Sequence, residues 1–124
     1  MPGSRELKIV AILVSVAVLA LAQPAAQREK LSRKELKSLI ASARTSADHE
    51  RIAAHYRAQA EQLEVKHLEH ESDLAEYYKN PSRYPGKYPT MGDHCRSLAG
   101  YYKMAAGRAL NLAEMHEKLA QEVR

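Results

Sequence analysis

His94 and Cys95 adjoin each other, and Met91 stands one helical turn before them. Imidazole, thiolate and thioether together form a donor set suited to copper or zinc. His70 is the further histidine within reach of that group if the chain folds back on itself. Other spacings fall short of known chemistry. Glu64-Val65-Lys66-His67 has the Glu-x-x-His spacing of carboxylate-bridged di-iron bundles, but such a centre needs the motif twice. An internal repeat, described below, offers Leu110 and Ala113 at the matching positions. His49-Glu50 opens like a zinc-protease motif, yet Ala53 stands where the second histidine must be. Neighbouring residues on a helix point about 100° apart, so His94 and Cys95 do not form a nucleophile–base pair. The chain has no Cys-x-x-Cys-His for covalent haem, no glycine-rich phosphate loop and no serine elbow. These residues favour binding over catalysis, so no enzyme is expected. No cofactor is expected either, unless copper or zinc occupies His94, Cys95, His70 and Met91.

The histidines belong to a repeat. Thr45, Asp48, His49 and Arg51 recur as Thr90, Asp93, His94 and Arg96. After a one-residue slip, Ala53, Tyr56, Ala60, His70 and Glu71 recur as Ala99, Tyr102, Ala106, His116 and Glu117. A repeat of this length predicts two similar long helices, each burying one face against the other.

Start and stop signals bound those helices. Ser32 with Glu35, Thr45 with Asp48 and Thr90 with Asp93 all have the form of N-terminal caps, and Asn80-Pro81 ends the middle segment. The expected elements are helices over 32–44, 46–79 and 91–123, with a loop over 80–90 containing Pro81, Pro85, Gly86 and Pro89. The fold class is therefore all-α: an antiparallel two-helix hairpin, coiled-coil-like, preceded by a short helix. Met91, Cys95, Leu98, Tyr102, Ala105, Ala109, Leu112, His116, Leu119 and Val123 alternate at spacings of 4 and 3, the pattern of a coiled-coil seam. The facing seam is Ile52, Tyr56, Ala60, Leu63, His67, His70, Leu74 and Tyr77.

With Leu74 set opposite Leu98, Tyr77 faces Cys95, Leu63 faces Ala109 and Ala60 faces Leu112. The same register sets Tyr56 opposite His116 and His70 opposite Tyr102. Each pair is expected to share a phenol–imidazole hydrogen bond, since leaving either group unpaired in a seam costs about 1 to 3 kcal/mol. It also places His70 about two turns from Cys95, on the order of 12 Å. One chain then supplies two good metal ligands at Cys95 and lacks a third, which a dimer interface would provide.

The first residues give an address. Arg5 and Lys8 precede an apolar run from Ile9 to Ala22 that closes on Ala20-Leu21-Ala22. A basic start, a short apolar run and an Ala-x-Ala exit predict a signal peptide over 1–22, followed by a flexible stretch over 23–30 and one helical domain over 31–124. The run is shorter than the roughly 20 residues of a membrane span, though an uncleaved segment would anchor the chain. The product is expected in the periplasm or outside the cell. There an unpaired Cys95 reads as an intermolecular disulfide, a reactive thiol or a buried packing residue. A net charge of +4 is mild, and with export it makes nucleic acid an unsuitable partner. The loop Tyr84-Pro85-Gly86-Lys87-Tyr88-Pro89, flanked by Lys79, Arg83 and Arg96, mixes rings with positive charge. It either touches an anionic envelope surface or stiffens the end of the hairpin.

The stretch Thr90 to Cys95, the tyrosines near the start of both long helices and the His-Glu pairs near their ends resemble small exported bacterial helical proteins of no assigned function. The likeness covers roughly residues 45–120 and implies an envelope-located helical hairpin, without an activity, cofactor or catalytic residue. The functional expectation is an exported scaffold or interaction module that self-associates, as a homodimer, or binds another envelope protein. The alternative is an envelope protein that binds copper or zinc.

Overall fold

The computed structural model describes residues 30–123. The segment read as a signal peptide, and most of the stretch after it, lie outside the described residues. Three helices follow in order: α1 (Arg33–Ser42), α2 (Ser46–Lys79) and α3 (Met91–Glu122), with a short 3₁₀ turn at Pro81–Arg83. No strand occurs among the described residues. The fold is an all-α hairpin of α2 and α3 preceded by a short helix, and the helix ends fall within two residues of those expected. No helix among the described residues is long and apolar enough to cross a membrane.

All three helices begin with the same device. The Ser32, Thr45 and Thr90 hydroxyls accept from the amides of Glu35, Asp48 and Asp93, at 3.2, 3.1 and 3.2 Å. The three carboxylates accept in return from the cap amides, at 2.7, 3.0 and 2.9 Å. Helix starts leave amides without intrahelical partners, and the capping box satisfies two of them at once. These bonds hold all three carboxyls below their ordinary values: Glu35 through Ser32, Asp48 through the Arg44 and Thr45 amides, and Asp93 through Thr90. At the far end of α2, Pro81 cannot continue the ladder, and the Asn80 amide closes the last turn on Glu76 O at 3.2 Å.

The seam itself corrects the expected one. On α3 the buried residues are Gly92, Cys95, Ala99, Ala106, Ala109, Ala113, His116 and Ala120. Leu98, Leu112, Met91 and Val123 lie outside it, at 39%, 37%, 50% and 45% exposure. Half of the expected stripe is thus displaced by one residue: Met91 onto Gly92, Ala105 onto Ala106, and Leu98, Leu112 and Leu119 onto the neighbouring alanines. Small side chains at the closest approach let the two backbones draw together, and the bulky neighbours are pushed to the flanks. On α2 the buried residues are Ile52, Ala53, Ala60 and His67.

The register is shifted too. Tyr77 packs over Gly92 rather than Cys95, where a Cβ would lie 2.5 Å from its Cε1. His67, the most buried histidine of α2, donates from Nδ1 to Ala99 O at 3.0 Å. In this register His70 approaches both Cys95 and Tyr102, and His116 approaches both His49 and Tyr56. Each ring therefore reaches two residues a heptad apart on the opposite helix. At the side of the hairpin, Arg57 grips Glu117 through two bonds of 2.5 and 2.7 Å. α1 buries none of its residues. Leu31, just before its cap, is 7% exposed and packs at the junction with α2.

Candidate functional site

A polar station of histidine and tyrosine stands toward each end of the seam. At the first, His116 is buried and its Nδ1 stands 3.1 Å from His49 Nδ1, so one ring donates and the other accepts. The Tyr56 ring lies nearly parallel to His116, with centroids 6.3 Å apart. Burial, and secondarily His49, pushes the His116 imidazole below its ordinary value. At the second station His70 stacks flat on Tyr102, centroids 5.5 Å apart. The expected pairs thus come together, but as stacked rings. Among the described residues no phenol–imidazole hydrogen bond joins them. His116 turns its nitrogen to His49 instead, and His70 Nδ1 is buried with no hydrogen-bond partner.

The second station departs from the first at one position. Under the repeat's second offset, Cys95 occupies the place of His49, just as Tyr102 matches Tyr56 and His116 matches His70. His70, Asp73 and Cys95 bring a ring nitrogen, a carboxylate oxygen and the sulfur within 4.8 Å of one another. This overturns the expected two-turn separation of His70 from Cys95, because the register slides His70 toward the α3 N-terminus. Cys95 is buried, His70 half-buried and Asp73 exposed. Burial, then the charge of Asp73, raises the Cys95 thiol above its ordinary value. Met91 and Tyr84 join Asp73 and Cys95 in lining a recess of about 220 Å³ beside the cluster. His94 is exposed and belongs to no such cluster among the described residues. Asp73 was not singled out from sequence, although its i,i+3 spacing from His70 sets both on one helix face.

Two apolar faces flank the seam. On one, Tyr56 and Leu63 of α2 meet Tyr101, Met104 and Leu112 of α3, with Gln59 and Arg108 among them, around a groove of about 340 Å³. On the other, Ala60, Gly107 and Leu110 are mixed with Glu61, Glu64 and Lys103. In the loop, Tyr84 packs on Tyr77 with ring centroids 6.1 Å apart, whereas Tyr88 is 87% exposed. Two of its flanking cations are engaged: Arg83 approaches Glu76 at 3.9 Å, and Arg96 bonds Asp93 and the Tyr78 hydroxyl.

Comparison with protein-family models, curated proteins and solved structures finds no match to this chain.

Proposed function

We propose that the protein is an exported helical interaction module that works as a homodimer, the second copy lying on the groove between Tyr56, Leu63, Tyr101, Met104 and Leu112. The displacement of the seam onto alanine carries this reading. It leaves Leu98, Tyr101, Met104, Leu112 and Met115 exposed on α3 at 39%, 59%, 54%, 37% and 48%. Leu98, Tyr101, Ala105, Arg108, Leu112, Met115 and Leu119 alternate at spacings of 3 and 4, a second coiled-coil stripe beside the first. A stripe with helical period fits another helix, and two hairpins joined face to face make a four-helix bundle. A two-helix unit burying mostly alanine has little core of its own, so association supplies the missing burial. The opposite face is the poorer choice, since docking there would desolvate Glu61, Glu64 and Lys103, against Arg108 alone among the charged residues lining the chosen groove. Export is inferred from the basic start and the Ile9–Ala22 run.

Sedimentation equilibrium of the purified chain tests the proposal. A dimer is expected, with Leu98→Glu and Leu112→Glu shifting it to monomer. Leu110→Glu, on the charged face, should leave it dimeric. A fully helical monomer at all concentrations, or a dimer broken by Leu110→Glu alone, would overturn it.

A further inference from the structure

We propose that His70, Asp73 and Cys95 form a binding site for a divalent transition ion of the zinc class. The two stations of the repeat make the case. At the first, the nitrogen of His116 is satisfied by His49 at 3.1 Å. At the second, cysteine replaces that histidine, and the matching nitrogen of His70 is buried without a hydrogen-bond partner, Asp73 Oδ2 standing 3.9 Å away. Its near neighbours are a thiol and a carboxylate, all three donor atoms lying within 4.8 Å of one another. An ion drawing these donors in to bonds of about 2.0 to 2.3 Å needs only small side-chain movement.

The donor types narrow the ion. Imidazole, thiolate and carboxylate are all zinc ligands, and three protein donors with a fourth position open is a familiar zinc arrangement. The carboxylate argues against copper(I), which favours sulfur. His55 is the other histidine with a buried, unpaired Nδ1, but it joins no such donor group among the described residues. Asp73 has a side chain 65% exposed and His70 one 25% exposed, giving an entry path from solvent toward the buried sulfur. Binding exchanges the Cys95 proton for the metal, and that proton leaves to solvent. Met91 lines the adjoining recess together with Asp73 and Cys95, offering a thioether for the fourth position.

The test is titration of the full chain with Co²⁺ as a spectroscopic stand-in for zinc, followed by Zn²⁺ competition. Binding should produce a thiolate-to-metal charge-transfer band that Zn²⁺ abolishes, and Zn²⁺ should raise the melting temperature. Cys95→Ser should remove the band, and His70→Ala should weaken binding by more than about tenfold. Asp73→Asn, at an exposed position that cannot unfold the hairpin, should weaken it similarly. His94→Ala should change nothing. Absence of the band in the folded wild-type chain, or cobalt binding that survives both Cys95→Ser and Asp73→Asn, would overturn the proposal. So would equal loss of binding in His94→Ala.

Discussion

His116 is packed between His49 and Tyr56, with its nitrogen 3.1 Å from another imidazole nitrogen. Protonating both rings would turn two N–H groups toward each other, so the pair requires at least one neutral ring. The folded value of His116 is lowered by burial and then by His49. The unfolded chain therefore binds the proton first. Its contribution is fully present above the unfolded value of about 6.5 and is lost as pH falls through the depressed folded value. Chemical denaturation across that range should show stability falling with acid, with a shallower fall in His116→Gln. A separate, more acidic step belongs to Glu117, whose carboxyl is lowered mainly by its hydrogen bonds from Arg57. Its stabilisation is present above the ordinary glutamate value and is lost as pH falls through the lowered folded value, so Glu117→Gln should make that acid loss shallower while Glu35, Asp48 and Asp93 keep their share. Stacking changes what Tyr56 contributes. Its hydroxyl is not what holds His116, so Tyr56→Phe should shift stability by less than about 0.5 kcal/mol. A double-mutant cycle of Tyr56→Ala with His116→Ala should return a coupling of about 0.5 to 1.5 kcal/mol. Strict additivity would mean that the rings do not pack.

At the scale of the helices, glycine distinguishes the seam from its flanks. A Cβ at Gly92 would lie 2.5 and 2.6 Å from the Tyr77 ring, whereas Gly100 and Gly107 have open space. Gly92→Ala should therefore force the ring or the helix aside and destabilise by about 1 to 3 kcal/mol. Gly100→Ala, gaining helix propensity without a clash, should stabilise by up to about 1 kcal/mol. Thermal denaturation of the two variants should show melting temperatures moving in opposite directions. The helices were legible because their signals are local: three hydroxyl–carboxylate caps and an Asn80-Pro81 stop. The seam was legible only to within one residue. Leu98 and Ala99, or Leu112 and Ala113, are equally apolar in the pattern, and what selects alanine is how closely α2 approaches. That approach is a property of both helices together, and the register follows from it. Hence Tyr77 met Gly92, and His70 reached Cys95, where the seam pattern set them apart. Asp73 escaped notice because an exposed carboxylate falls outside any pattern of apolar positions.

For the whole molecule, the balance between buried alanine and exposed leucine means that the proposed homodimer would make folding and assembly one process. Ile52 is the largest fully buried side chain among the described residues, and most of the other core residues are alanine. Apolar burial stabilises in proportion to area, about 25 cal/mol per Å², so an alanine seam yields far less than the leucines flanking it could. In a homodimer those leucines and methionines enter a shared core, and the folded dimer is then linked to chain concentration by mass action. Each tenfold rise in concentration should add about 1.4 kcal/mol per mole of dimer to the unfolding free energy. Its melting temperature should climb accordingly when scanned over several decades of concentration. Leu98→Glu with Leu112→Glu should abolish that climb and lower the melting temperature together, because the variant chain keeps only its alanine seam. Leu110→Glu should preserve the climb. A melting temperature independent of concentration in the unaltered chain would show that the hairpin is stable by itself. The exposed stripe from Leu98 to Leu119 would then have no part in holding this fold together.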